Sequence, residues 1–267
     1  MNPYASVFRL RFAVGLQYRV AALAGLVTQF FWGFMLIMVY RAFYSRAPGS
    51  APISLSQLAS YVWLQQAFLA LVVLWFRDSE LLALIVSGNV AYELCRPQDL
   101  YYFWYARLIS QRLAAAALRC LPILAVAFFL PPPYRLSPPA DPAAFALFLL
   151  TLGLGLCVLV ALSMFSYIMT FITLSPYGTM IVIGTLGDFC SGGIIPLPLM
   201  PEGLRNVMLV LPFRLASDLP FRIYSGHIPP AEALQGLLLQ AFWFAVLLWA
   251  GRRAMAAVLK RAVIQGA

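Results

Sequence analysis

Long apolar runs separated by short polar loops make up most of the chain, and they predict membrane-spanning helices. The hydrocarbon core of a bilayer is about 30 Å thick, so an upright helix needs about 20 apolar residues to cross it. We assign six such runs, and the fourth is too long for one upright crossing and too short for two, so we expect one long span that projects from the membrane. The predicted spans cover residues 20–40, 57–76, 113–131, 143–174, 178–198 and 233–251.

The composition supports this pattern, with 63% hydrophobic and only 10% charged residues. A soluble fold of 267 residues cannot hide so much apolar surface from water. We therefore expect an all-α polytopic membrane protein, with residues 1–267 forming a single transmembrane domain. The net charge of +9 favours anionic lipid over nucleic acid, because lysine occurs once and forms no basic run.

The basic residues near the span ends predict the orientation in the membrane. Eleven of them fall on the side that carries both termini and six on the other side. The positive-inside rule therefore places both termini in the cytoplasm. Residues 1–19 are expected to form a helix in the head-group plane, capped by Asn2 with Pro3 at its first position, although a partly ordered tail is the alternative. Residues 252–267 are expected to be a cytoplasmic tail.

The predicted cytoplasmic loop, residues 77–112, is the longest charged stretch, and we expect it to lie in water or against a soluble partner. Asp78 or Ser79 can cap a helix that begins at Glu80, and Gly88 can end it. This helix is too apolar for free solution, so some of its side chains should be buried against the bundle or against a separate cytoplasmic protein, and a docking surface is our preferred interpretation. An interfacial helix that contacts only lipid is the alternative. The apolar side chains are Leu81, Leu82, Leu84, Ile85 and Val86.

The stretch before the last span, residues 196–230, is divided by prolines into pieces of about ten residues, each too short to cross a bilayer. We expect it to enter the outer leaflet and return, as a re-entrant hairpin of two short helices with charged ends toward water. An unstructured outer loop is the alternative.

Four polar side chains fall inside the predicted spans: Gln65, Gln66, Arg119 and Asp188. Polar groups at membrane depth need partners away from lipid and often mark functional sites. Arg119 and Asp188 are both predicted to lie about 10 to 15 Å from the cytoplasmic side, at a rise of 1.5 Å per residue, and are placed to pair. A purely structural role for each is equally consistent with the sequence.

Two patterns lie on opposite sides of the predicted membrane. The cytoplasmic loop carries I-x-x-G-x-x-A-Y-x-L-x-R-P from Ile85 to Pro97. The outer stretch carries IPLPLMPEGLRNVMLVLPF, followed by P-x-x-I-Y-x-G from Pro220 to Gly226. In this order and placement, most of the chain resembles the transmembrane permease subunits of ABC type-2 exporters.

The resemblance implies roles for both segments. Residues 79–92 are similar to the coupling helix that contacts the nucleotide-binding subunits, and residues 196–226 to the outer hairpin that closes the mouth of the path. The ATPase-coupling residues implied are Glu80, Leu81, Leu82, Ile85, Gly88, Tyr92 and Arg96. The hairpin residues implied are Pro196, Pro201, Pro212, Pro220 and Gly226.

The sequence contains no G-x-x-x-x-G-K run that would hold nucleotide phosphates. We therefore expect a non-enzymatic permease that binds no cofactor or metal, with ATP and Mg on partner subunits. The expected partners are cytoplasmic ATP-binding-cassette ATPases, a second permease, identical or related, and membrane lipid, with no nucleic acid. The expected location is the plasma membrane, the inner membrane in a bacterium, and the expected cargo is amphiphilic: a lipid, hydrophobic drug or peptide. An ion- or proton-coupled secondary transporter or channel is the alternative; an intramembrane enzyme has few of the residues it would need.

Overall fold

The computed structural model describes residues 2–46 and 52–260, and the regular structure of these residues is all-α. Two short 3₁₀ helices, Leu197–Leu199 and Phe213–Ala216, accompany the α-helices. The α-helices are α1 (Pro3–Gly15), α2 (Arg19–Arg46), α3 (Leu55–Ala67), α4 (Leu69–Val72), α5 (Ser79–Val86), α6 (Ala91–Leu94), α7 (Leu100–Phe129), α8 (Pro142–Thr173), α9 (Pro176–Cys190), α10 (Glu202–Val210), α11 (Asp218–Tyr224) and α12 (Pro230–Leu259).

Four helices, α2, α7, α8 and α12, are long and apolar enough to cross a membrane. They contain 28 to 32 residues each, which corresponds to about 42 to 48 Å at 1.5 Å per residue. Large apolar side chains remain exposed on all four, which suits contact with lipid rather than water. Examples are Phe31, Leu121, Leu150 and Leu238. The chain thus has the construction of a multi-pass membrane protein.

The other two predicted spans are shorter helices. The second is interrupted at Phe68, between α3 and α4. After α4 it continues as a non-helical segment to Arg77. The fifth ends at Cys190, eight residues before its predicted end at residue 198. Helix α3 is largely buried, whereas α9 is buried only at Met180, Gly184 and Gly187. The chain turns between α8 and α9, where Leu174 is in the left-handed region (φ 49°).

The bundle has two ends, which we name after the helices found there. The α1 end carries α1, α5, α6 and the start of α7, and the α11 end carries α10, α11 and the prolines at residues 131–133. The interrupted α3–α4 segment connects them: Gln57 donates to the carbonyl of Ser225 at the α11 end (3.2 Å), and Asp78 joins α7 at the α1 end.

Arg112 stabilises the interruption. It is fully buried, and its Nη1 donates to the carbonyls of Ala70 (2.9 Å) and Val73 (2.8 Å). Its Nη2 donates to the carbonyl of Phe76 (3.2 Å) and to Oγ of Ser163 (3.0 Å). The end of a helix leaves carbonyls without intrahelical partners, and here a single guanidinium satisfies several of them.

The predicted cytoplasmic loop at residues 77–112 is therefore wrong in its second part. Helix α7 begins at Leu100, so residues 100–112 are its first turns, and Arg107 and Arg112 are buried rather than in water. Their charges are satisfied inside the bundle, by Asp78 and by backbone carbonyls respectively. Within the predicted tail, residues 252–259 continue α12, and residues 261–267 lie outside the described chain.

Several predicted elements are present. Helix α8 covers the long fourth run as one helix of 32 residues. Helix α1 begins at Pro3, and Oδ1 of Asn2 accepts from the backbone N–H of Tyr4 (3.0 Å). It packs along the first half of α7, where Oγ of Ser110 donates to the carbonyl of Phe8 (2.6 Å). Its placement in the head-group plane stays a prediction.

Candidate functional site

Helix α5 is held by a buried ion pair at its N-cap residue. Asp78 caps the helix, because its Oδ1 accepts from the backbone N–H groups of Glu80 (3.0 Å) and Leu81 (3.2 Å). Arg107 on α7 places Nε 2.5 Å from Oδ2 of the same carboxylate, and both side chains are 3% exposed. The backbone N–H of Asp78 donates to the hydroxyl of Tyr167 on α8 (2.8 Å). The start of α5 is thereby attached to two long helices.

Glu80 joins α5 to the N-terminal helix. Its Oε2 lies 2.7 Å from Nη1 of Arg11 on α1 and 2.6 Å from Nη2 of Arg107 on α7. Partial burial opposes ionisation of Glu80, but the hydrogen bonds and charges of the two arginines outweigh it and hold the pKa of Glu80 below its ordinary value. A short helix is thus connected to three others.

The buried side of α5 corrects the predicted docking surface. Leu81, Leu82 and Ile85 are almost completely buried, at 0%, 8% and 4% exposure, in the hydrophobic core of the same chain. The bundle itself therefore covers these three residues, which were expected to be buried either against the bundle or, in our preferred interpretation, against a partner. The charges at Asp78 and Glu80 fix the helix so that this side faces inward.

A different set of residues remains available on this loop. Gly88 has φ +75° and turns the chain after α5 toward α6, and Nε1 of Trp104 donates to the carboxylate of Glu93, which ties α6 to α7. The loop leaves large side chains uncovered, among them Tyr92 at 75% exposure. We call this set the exposed loop residues: Val86, Tyr92, Leu94 and Arg96.

Three of the four predicted intramembrane polar residues meet at one cavity. Gln65, Gln66 and Asp188 line a space of about 520 Å³ between α2, the α3–α4 segment and α9. Gln65 donates to the carbonyl of Gly193 (3.2 Å). Gln29 of α2 lines the same cavity, and its buried Oε1 has no hydrogen-bond partner among the described residues.

Two further cavities adjoin this one and extend it in both directions. Toward the α1 end, a cavity of about 250 Å³ shares Trp75 and Asp188 with it and reaches Arg77. Toward the α11 end, an apolar cavity of about 570 Å³ shares Leu36 and Ile194 with it. The three together form the α2–α9 groove, which is polar in the middle and apolar toward the α11 end.

Arg119 does not join this group. In the described part of the chain, no ion pair connects Arg119 to Asp188, so the predicted pairing is wrong. The segment that follows α4 separates them, because Trp75 lines the Asp188 cavities while Phe76 lines a different cavity, of about 320 Å³, with Arg119. The two residues lie on opposite sides of a non-helical segment that the apolar pattern predicts to be part of a helix.

The proline-rich stretch folds over the α11 end. Pro196, Pro201 and Pro212 each stand immediately before a helix, and Pro220 lies in the first turn of α11. Gly226 has φ +72° and reverses the chain toward α12. The expected two short α-helices, α10 and α11, are therefore present, together with the two 3₁₀ helices.

This hairpin is anchored by buried polar contacts. Asp218 is fully buried and pairs with Arg222 one turn later (3.2 Å). Oγ of Ser217 donates to the carbonyl of Ser191 after α9 (3.0 Å). Gln240 of α12 donates to the carbonyls of Leu215 (2.6 Å) and Thr151 on α8 (2.8 Å). The hairpin is therefore fixed to α8, α12 and the end of α9.

Sequence reasoning missed the roles of Arg107, Arg112 and Gln29. Gln29 was visible as a polar residue inside the first predicted span, whereas both arginines were attributed to a solvated loop. Across residues 2–46 and 52–260, no group of three His, Cys, Asp or Glu side chains could hold a metal ion. Comparison with protein-family models and with curated proteins gives no match to this chain.

Proposed function

We propose that this chain is the permease subunit of an ATP-driven exporter and that its α1 end faces the cytoplasm. The chain would cross the membrane six times, with the α3–α4 segment and α9 completing the four long helices. Nucleotide and Mg would be bound by separate cytoplasmic ATPase subunits, because the sequence holds no phosphate-binding loop. The basic excess at the α1 end supports this orientation.

The attachment of the α5–α6 loop is the observation that carries the proposal. Asp78 and Glu80 connect the loop to α1, α7 and α8 through short ionic contacts, while Val86, Tyr92 and Leu94 remain uncovered. A loop fixed rigidly to several spans and still exposing apolar surface is suited to receive a push from a docked protein and pass it on.

The α2–α9 groove supports a transport path along the same molecule. It is open to one side, and a second permease subunit placed against it would enclose a path between the two chains. Its polar middle, at Gln65 and Asp188, and its apolar walls, at Tyr40 and Leu199, match an amphiphilic cargo. A lipid, a hydrophobic drug or an apolar peptide has this character.

The test is co-purification of the permease with an ATPase subunit in mild detergent. A Val86→Glu variant places a charge on the exposed loop residues and is expected to reduce the ATPase subunit recovered with the permease at least tenfold. Val207→Glu is the matched control, because Val207 is a similarly exposed valine (58% against 48%) at the opposite end of the bundle. Equal ATPase recovery with both variants, each still folded, would argue against the proposal.

The polar middle of the groove favours one second candidate, an ion- or proton-coupled transporter or channel. Gln29, Gln65, Gln66 and Asp188 at one cavity would suit passage of a cation or proton. Reconstituted vesicles distinguish the two. Transport by an exporter requires ATP and continues with a protonophore, whereas transport by this chain alone that stops with a protonophore and ignores ATP identifies the second candidate.

A further inference from the structure

A cavity of about 320 Å³ lies at the junction of α1, α2 and α7, and Arg77 is the residue that it shares with the α2–α9 groove. Tyr18 and Ala22 line it at the elbow between the first two helices, and Phe76 lines it from the segment after α4. Arg11 and Arg119 contribute from α1 and α7. We call this space the elbow cavity.

The charges around the elbow cavity are unbalanced. Three arginines line it, Arg11, Arg77 and Arg119, against two carboxylates, Asp78 and Glu80. Both carboxylates already have arginine partners within the chain. Arg107 holds both of them, Gln111 donates to Asp78 (2.6 Å), and Arg11 pairs with Glu80. With Arg107 included, four cations face two anions, so an excess of two positive charges remains.

Arg119 carries the part of this excess that the protein leaves unsatisfied. It makes no hydrogen bond or ion pair with any described residue, and its buried Nε lacks a partner. Arg77, by comparison, lies over the ring of Tyr177, 5.0 Å from its centre. A guanidinium within a membrane protein is costly without an anion, and phosphate accepts two parallel hydrogen bonds from it.

Arg119 lies near the start of α2, beside exposed apolar surface. A Cβ atom added to Gly25 would lie 2.8 Å from Cζ of Arg119, so the guanidinium rests against the backbone of α2. Gly25 is six residues after the start of α2 at Arg19, which corresponds to about 9 Å along the helix. Val20 and Leu23 on the same helix are exposed, at 82% and 62%, and offer apolar surface for acyl chains.

We propose that the elbow cavity binds the phosphate of an anionic phospholipid of the cytoplasmic leaflet. Arg119 is the principal ligand through its guanidinium, and Arg11 and Arg77 contribute positive charge. Bound lipid would join the N-terminal helix to α2 and α7. The site needs the membrane orientation given above but no ATPase, so it can be tested on the isolated chain.

The test is native mass spectrometry of the full chain released from nanodiscs of equal phosphatidylglycerol and phosphatidylcholine. The wild-type protein is expected to retain phosphatidylglycerol preferentially. Arg119→Gln should reduce this retention about tenfold, the effect of losing one charge-assisted contact. Gly25→Ala, which keeps every charge but displaces the guanidinium, should also reduce it, whereas Arg135→Gln at the exposed α11 end should not.

The remaining outcomes overturn the proposal. Equal retention of the two lipids by the wild-type protein, or unchanged retention by a folded Arg119→Gln variant, would exclude an anion site at Arg119. Inorganic phosphate is the probe for the other source of the same chemistry. If inorganic phosphate at millimolar concentration binds the Arg119 site in place of phosphatidylglycerol, the ligand is the free ion and the lipid assignment is wrong.

Discussion

Arg107 and Asp78 form an ion pair in the interior of the bundle, with Nε of the arginine 2.5 Å from Oδ2 of the aspartate. The aspartate is also the cap of α5, so the same carboxylate begins a short helix and attaches it to a long one. This relationship makes α5 part of the bundle. Any force applied to the α5–α6 loop is therefore applied to α7.

Removing one partner of this pair should destabilise the whole chain. Arg107→Met leaves the carboxylate of Asp78 buried without its cation, and we expect a loss of about 3 to 5 kcal/mol of unfolding free energy. Thermal unfolding in detergent measures it. Arg252→Met is the control, because its pair with Asp99 is exposed and should contribute about 1 kcal/mol or less. Similar losses in both variants would contradict a special role for Arg107.

Arg112 should be irreplaceable by lysine. Its Nη1 donates to the carbonyl of Val73 while its Nη2 donates to that of Phe76, and an ammonium group, which has a single nitrogen, keeps the charge but loses this fork geometry. We expect Arg112→Lys to cost about 1 to 3 kcal/mol and to speed hydrogen exchange in residues 69–77. Unchanged exchange in this segment would show that the interruption after α4 holds without the guanidinium.

The two sides of α5 should respond differently to truncation. Leu82→Ala removes a buried side chain and should lower the unfolding free energy by about 2 to 5 kcal/mol. Val86→Ala removes an exposed one and should change it by less than about 0.5 kcal/mol. Chemical or thermal unfolding compares the variants directly. A larger loss for Val86→Ala would mean that the opposite side of the helix is packed.

Acidification should weaken the attachment of α1 to α5. The arginines hold the pKa of folded Glu80 below its ordinary value of 4.5, so its stabilising contribution is present above that value and is lost as the pH falls through the lowered pKa. The difference in melting temperature between the wild type and Glu80→Gln isolates this group. We expect it to shrink as the pH is lowered from about 6 to about 3. If the difference in melting temperature stays constant over this range, ionisation of Glu80 does not contribute to the pH dependence of stability.

Apolar patterns predicted the long helices well. The fourth run became α8 within one residue at each end, because a continuous apolar stretch with Asp141 as a cap leaves little choice. The N-terminal helix and the start of α5 followed from caps at Asn2 and Asp78 for the same reason. Local signals of this kind need no knowledge of the neighbours.

Tertiary contacts decided what the local signals could not. The interruption of the second span depends on Arg112, which lies some forty residues later in the chain and was interpreted as a solvated charge. Leu81 and Ile85 are buried because α5 is attached to α7 and α8. The periodicity of apolar residues in one sequence does not show such tertiary contacts. Three of the four intramembrane polar residues do converge, but Arg119 is separated from Asp188 by a segment that sequence patterns describe as helix.

Photocrosslinking from Tyr92 in native membranes tests the exporter proposal most directly. A photoreactive amino acid at this position, which is 75% exposed, should form an adduct with an ATPase that carries a phosphate-binding loop. The same amino acid at Val207, at the other end of the bundle, should form none. Adducts with lipid alone at position 92, in membranes where transport is active, would contradict the coupling of this chain to a separate ATPase.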